Sequence, residues 1–472
     1  MPEITEEVEE VIPSAKRLIT SLRDVGYDFV TAVADLVDNS IEAGATKIDI
    51  DVIFDGEDSW VRILDNGRGM TPEKILEAMR FGSEREYGEN DLGKFGLGMK
   101  TASLSQCSRL TVASWNGCEN RNTIALCWDL EHIERVNRWE VIRLSEDKLK
   151  PVITDALRDN SGTVVLWERL DRILGYKHPY GEHARKCLLT MCRDLETHLA
   201  MVFHRFLMGV EGPQIRITLN GNAVQPWDPF ARYEQRTQQL APIRIVLEYE
   251  GVTGEIILEP YVLPHMDDFS SPYAFKRAGG PNNWNQQQGF YIYRAGRLIQ
   301  GGGWCHLRTI DEHTKLARIA LRFSPALDEA FKVNVAKRRV QLPGQIQEQV
   351  KQAIEPVIRL AQETYRRTPP NSVVRRTNPP VMTTGSGQLV RPGSYPTGMA
   401  TASRRETVPT DTPVMPEIGS DTGSTQETLD QYWTLEEFSQ LLHGVAEPDE
   451  YPVVDRLLGR LREALSTSYG DD

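Results

Sequence analysis

Residues 31–45, "TAVADLVDNSIEAGA", set Asp35, Asp38 and Asn39 inside an otherwise apolar run. At about 100° per residue, Phe29, Val33, Leu36, Val37 and Ile41 fall on one continuous arc of a helix. Asp35 and Asn39, four apart, share the opposite side, with Asp38 and Glu42 beside them. Charges placed so are ordinarily a solvated face. The segments that follow give this face a second reading.

"KIDIDVIF" (47–54) alternates apolar and polar residues, as a half-buried strand does. A "DGEDS" turn (55–59) leads into a second strand, "WVRIL" (60–64), which runs into "DNGRGMTP" (65–72). Asp65 therefore stands at a strand end, and Gly67 and Gly69 after it let backbone approach a flat ligand closely. A carboxylate at that mouth can accept a hydrogen bond from an exocyclic amine, such as that of adenine; the same residues also suit a plain turn. Thr71 is a good helix cap, with Pro72 at the first helical position. In "LGKFGLGMKTASLS" (92–105), Gly93, Gly96 and Gly98 precede a helix, an arrangement that offers backbone N–H groups to phosphate. It is no Walker A loop, because Met99 displaces Lys100 and Thr101 by one position and no hydrophobic strand leads into it. A GxGxxG dinucleotide fingerprint is missing too. "SGTVVLWERL" (161–170) puts Thr163 at the start of an apolar strand that can return to the same sheet.

Together and in this order, these pieces resemble the GHKL superfamily of ATPases, the Bergerat fold, which includes gyrase B subunits, MutL repair proteins, heat-shock chaperones, histidine kinases and MORC proteins. "DLVDNSIEA" matches its asparagine box, "DNGRGM" its first glycine box, "GKFGLGMK" its second, and "GTVVLW" its later threonine motif. "RFGSERE" (80–86) and "FGLGMKTAS" (95–103) read much like MORC segments, while "QGFYIYRAGRLI" (288–299) and "VNVAKRRVQLP" (333–343) resemble the MutL-type transducer domain. The resemblance runs from about residue 20 to about residue 360.

The fold it implies is α/β: a two-layer α+β sandwich, the Bergerat ATPase fold, then a MutL/gyrase-B-type transducer-like α/β domain and a disordered C-terminal tail. The expected boundaries are an acidic arm over 1–20, the ATP-binding domain over 21–177, a connecting helix within 178–212, the transducer-like domain over 213–366, a Pro/Ser/Thr/Gly-rich linker over 367–430 and a short helical docking tail over 431–472.

The site residues follow from the same resemblance. Asn39 would hold Mg²⁺ through its side-chain oxygen. Asp65 would read the adenine amine, supported by Thr163; Gly67 and Gly69 would shape the base pocket, with Met70 as an apolar wall. Gly93, Lys94, Gly96, Leu97 and Gly98 would form a lid over the phosphates, with Lys100 nearby. Lys337 would reach the terminal phosphate from the second domain, with Lys332 and Arg338 as the neighbouring candidates. Asp35 stands where hydrolysing members usually carry glutamate to orient the attacking water. It is one methylene shorter, and a displacement of about 1 Å can cost on the order of a hundredfold in rate. It is either a working base in a tightened pocket or a slow one. Asp38 reads as structural.

The expected activity is slow Mg-ATP hydrolysis by an ATP-dependent homodimer, a nucleotide-operated switch or clamp on DNA or a protein client. The family's spread suggests DNA transactions or phage defence. The rival reading is an ATP-binding interaction module with little hydrolysis. A histidine kinase is disfavoured, since no helix pair with a phosphoacceptor histidine precedes the ATP domain. A net charge of −13 over 472 residues argues against a protein coated in nucleic acid but leaves room for a local basic groove. The best such footprint is the set of arginines at 366, 367, 375, 376, 391, 404 and 405. Six cysteines without a CxxC pair, an acidic N-terminus and no apolar run near the roughly 20 residues of a membrane span suggest a reduced, cytoplasmic protein with no membrane partner.

Overall fold

The computed structural model describes residues 13–24, 27–82, 98–117, 123–158, 161–176, 178–281, 283–332 and 340–367. Among them two sheets form, each with its own core. The acidic arm through residue 12, Gly93, Lys94, Gly96, Leu97, Lys337 and everything after Arg367 lie outside the described residues.

The first sheet contains β1 (Lys47–Ile53), β2 (Trp60–Asp65), β3 (Arg109–Trp115), β4 (Ile124–Asp129), β5 (Ile142–Leu144), β6 (Gly162–Glu168), β7 (Arg216–Leu219) and β8 (Asn222–Ala223). Their order is β5-β4-β3-β6-β2-β1-β7-β8, antiparallel throughout except for β1 with β7. The alternation in β1 is realised: Ile48, Ile50 and Val52 are buried while Lys47 and Ile53 are exposed. One face is covered by α1 (Ala15–Arg23), α2 (Phe29–Glu42), α3 (Pro72–Met79), α4 (Gly98–Leu104) and α5 (Leu130–Val136). The other face carries a smaller cluster in which Ile153 of α6 (Pro151–Thr154) meets Ala113, Val164 and Leu166. This is the two-layer sandwich expected.

α2 begins where Asp28 caps it, its carboxylate accepting from the Thr31 amide at 2.8 Å. Val33, Leu36 and Val37 enter the core almost completely, each stabilising the fold by about 1.5–3 kcal/mol relative to exposure. α7 (Glu182–Val202) packs along α2 through the same core and ends at Phe203, before the short α8 (His204–Leu207). So the long helix is part of the first core rather than a free connector. β7 and β8 also belong to the first sheet, which carries that domain past residue 212, where the second was expected to begin.

The second sheet contains β9 (Gln238–Gln239), β10 (Ile243–Tyr249), β11 (Val252–Val262), β12 (Gly289–Arg294), β13 (Arg297–Gly301) and β14 (Ala317–Phe323), in the order β10-β11-β14-β12-β13 with β9 beside β11. Two short helices, α9 (Pro272–Ala278) and α10 (Asn283–Gln286), precede β12. α11 (Gln347–Arg366) lays Val350, Ile354, Val357 and Ile358 on this sheet. Between the two cores lies an aromatic cluster of Trp227, Phe230, Tyr261, Tyr291 and Tyr293, against which Met201 of α7 packs.

Candidate functional site

The polar side of α2 is not a solvated face. Asp35 is 4% exposed and Asp38 1%, whereas Asn39 between Asp38 and Ser40 is open to solvent. Buried carboxylates need donors or cations close by, and the neighbouring strand ends and loops supply them.

Asp65 closes β2, directly opposite Thr163 of β6. Its Oδ1 accepts from the Gly67 amide at 2.8 Å and its Oδ2 from the Ser40 hydroxyl at 3.1 Å. Burial raises its pKa, and these two donors pull the other way. The Ser40 bond ties the α2 turn that carries the exposed Asn39 to the end of β2, which brings Asn39 and Asp65 to the same end of the sheet. The glycines between them are required by space. A Cβ on Gly67 would lie 2.8 Å from the Ala43 Cβ and 2.9 Å from Asp65 Oδ1. Gly69 has φ +63°, and a Cβ there would meet the Trp115 carbonyl oxygen at 2.0 Å. Ser114 on β3 fastens the far side of this turn. Its hydroxyl accepts from the Met70 amide at 2.9 Å, donates to the Gly162 carbonyl at 2.8 Å and meets the Thr163 hydroxyl at 3.0 Å. Since Ser114 has one proton, given to Gly162, Thr163 donates to it. The sequence reading passed over Ser40 and Ser114. The signal for Ser40 was its place beside Asn39 in an apolar helix; Ser114 shows no motif, only its register opposite Thr163.

Asp35 lies deeper. The Tyr27 hydroxyl donates to its Oδ2 at 2.7 Å, and burial followed by the Asp35 charge pushes the Tyr27 pKa up. Arg297, from β13 in the second sheet, brings Nη2 to 3.5 Å from Asp35 Oδ1 and Nε to 3.1 Å from Asp38 Oδ1. A Cβ on Gly98, the first residue of α4, would stand 3.7 Å from Asp35 Oδ2, so the segment expected over the phosphates starts its helix beside this carboxylate. Lys100 is buried and donates to the Ala78 carbonyl at 2.9 Å, and desolvation lowers its pKa to about 8. That bond holds α4 to the end of α3. Of the cations weighed for the terminal phosphate, Lys332 is described, with φ +48°.

The donor set suits Mg²⁺ carried with a nucleotide. Mg²⁺ keeps several waters and takes one or two protein oxygens together with substrate phosphates. An exposed amide oxygen, one residue from the Ser40 anchor, can serve as that single ligand.

Residues 27–163 match the family model described as "Histidine kinase-, DNA gyrase B-, and HSP90-like ATPase". The chain is similar to the DNA mismatch repair protein MutL of Thermosipho africanus, 35% identical over 101 residues, covering 20% of this chain and 18% of that protein. With MutL of Aliivibrio salmonicida the identity is 42% over 281 residues, 57% of this chain and 37% of that protein. The matched part is thus well under half the length of these relatives. A solved N-terminal domain of a DNA repair protein overlays at TM-score 0.44 with 18% identity, covering 74% of this chain and 98% of that one, a distant likeness. Among the described residues no helix is long and apolar enough to cross a membrane. Residues 27–163 therefore carry an ATPase-type domain of the GHKL superfamily, and part of the chain is similar to MutL proteins.

Proposed function

We propose that the protein binds Mg-ATP in the pocket between α2 and the β2 end, hydrolyses it slowly, and uses the nucleotide to switch a homodimer between open and closed states that act on DNA or a protein client. The observation that carries the reading is Asp65, a buried carboxylate aligned by Gly67 and Ser40 at the mouth of a glycine turn. Water has been replaced there by donors that hold the carboxylate in one orientation, which suits the exocyclic amine of adenine. Gly67 and Gly69 leave room for the flat base, Met70 forms its wall, and Thr163 braces the strand behind Asp65.

Asp35 orients the attacking water and receives its proton as the water oxygen bonds to the γ-phosphorus and the β–γ bridging oxygen leaves with ADP. Asn39 would hold the metal through its side-chain oxygen, and the chemistry the ion would supply there is neutralisation of charge on the phosphate oxygens. Lys337 is proposed to sense the terminal phosphate from the second domain, with Gly93, Lys94, Gly96 and Leu97 in the lid. Nucleotide drives closure by binding the closed state more tightly than the open one. A second reading, ATP binding with little hydrolysis, is favoured by one feature: Asp35 is short and already engaged by Tyr27 and Arg297.

Turnover measured for wild type, Asp35→Glu, Asp35→Asn and Asn39→Ala, with sizing in a non-hydrolysable analogue, separates the two. We expect faster turnover in Asp35→Glu, none in Asp35→Asn or Asn39→Ala, and a dimer with analogue. Nucleotide binding with no turnover in wild type or Asp35→Glu would establish the second reading, and a monomer under every nucleotide would end the clamp.

A further inference from the structure

Asp35 and Asp38 put two carboxylates of like charge into the same interior. Each demands compensation on burial. Arg297 brings a cation to both from the second sheet. Its side chain is 3% exposed, with Nε 3.1 Å from Asp38 Oδ1 and Nη2 3.5 Å from Asp35 Oδ1, ion-pair contacts in which Nε is not aligned for a hydrogen bond, and its guanidinium lies 5.9 Å over the Phe203 ring at the end of α7.

The hairpin that delivers Arg297 turns tightly and is packed on both sides. Ala295 and Gly296 form its two-residue turn, with φ +45° and +80°, the signs a tight hairpin turn requires. A Cβ on Gly296 would lie 2.6 Å from Glu211 Cγ, so the turn is pressed against the bend between α8 and β7. On the opposite strand, Arg294 grips Asp328 with two parallel bonds, Nε to Oδ1 at 2.8 Å and Nη2 to Oδ2 at 2.9 Å. Arg294 therefore roots the hairpin on the side of the second sheet, and Arg297 extends from the same turn into the ATPase domain.

We propose that Arg297 is a positioning residue for the hydrolytic carboxylate: docked between Asp35 and Asp38, it fixes the Asp35 rotamer and makes turnover depend on the seating of the β12–β13 hairpin against α2. Asp38 is the anchor and Asp35 the group being aimed. Withdrawal of the hairpin removes the shared cation, the two carboxylates repel, and Asp35 turns away from the water. A guanidinium reaches both partners from separate nitrogens, whereas a lysine ammonium is a single point and serves one. The inference rests on Asp35 acting in hydrolysis as proposed above.

The test is steady-state ATP hydrolysis by the full chain carrying Arg297→Gln, Arg297→Lys, and Arg297→Lys with Asp38→Asn, each checked for folding by thermal melting. Arg297→Lys keeps a buried cation and carries the test if Arg297→Gln does not fold. Expected is a kcat lower by about tenfold or more in Arg297→Lys, with KM within about twofold, because a misaimed base slows chemistry without emptying the pocket. Adding Asp38→Asn leaves the ammonium to Asp35 alone and restores part of the lost kcat. Folded variants with kcat within about twofold of an active wild type, or a loss borne by KM, would overturn the role of Arg297 and leave the ATPase reading standing. A wild type that binds ATP without hydrolysing it, even as Asp35→Glu, would remove both.

Discussion

A carboxylate 6% exposed stays ionised only where other donors replace water, and Asp65 has the Gly67 amide and the Ser40 hydroxyl for that purpose. Burial still raises its pKa, so the folded apo protein holds a proton there over part of the range above 3.8 in which the unfolded chain has lost it. Ionised Asp65 consequently costs stability as pH rises through that window. Asp65→Asn, which keeps an acceptor for Gly67, should leave the melting temperature unchanged or higher while weakening ATP binding by at least about tenfold, roughly 1.4 kcal/mol. Thermal melts and nucleotide titration of the same preparation test both halves. At Gly69 the constraint is steric, and Gly69→Ala should lower unfolding free energy by on the order of 1–3 kcal/mol, measured in urea, because φ +63° and the Trp115 carbonyl both oppose a side chain.

At the scale of elements, what was legible was local. The apolar arc of α2, the alternation of β1, the Thr71-Pro72 start of α3 and the glycines after Asp65 are written in spacings of two to four residues, and the structure follows them. The buried state of Asp35 and Asp38 was not legible, because their cation is contributed by Arg297 on β13 and no local period records that contact. β7 and β8 escaped notice for another reason. Four and two residues are too short to show alternation, and they join the first sheet only through the parallel pairing of β7 with β1. Ser40 links α2 to β2 through one bond. Ser40→Ala should cost about 1–2 kcal/mol of stability, read from the urea midpoint, and should weaken ATP binding by letting Asp65 reorient.

At the scale of the whole molecule, the first core meets the second sheet through buried polar contacts as well as aromatics. His204 Nδ1 lies 2.8 Å from the Met201 carbonyl, which can only accept, so Nδ1 carries the proton and Nε2 accepts from the Tyr293 hydroxyl at 3.3 Å. Burial lowers the His204 pKa to about 4 from 6.5. The unfolded chain therefore binds the extra proton first, and stability falls as pH drops from about 6.5 to about 4, by on the order of 3 kcal/mol. His204→Gln should flatten that part of the pH–stability curve. If the arginines after residue 366 contact phosphate, DNA binding will weaken with salt and disappear on deletion of residues 367–410; binding unchanged by the deletion would refute that footprint. All of these proposals depend on one pocket between α2 and the β2 end, and equilibrium titration of the full chain with a non-hydrolysable ATP analogue and Mg²⁺ tests it most directly. The account predicts saturable one-site binding to wild type that is lost in Asp65→Ala and weakened in Asn39→Ala. Equal binding by all three proteins, or none by a folded wild type, would contradict it.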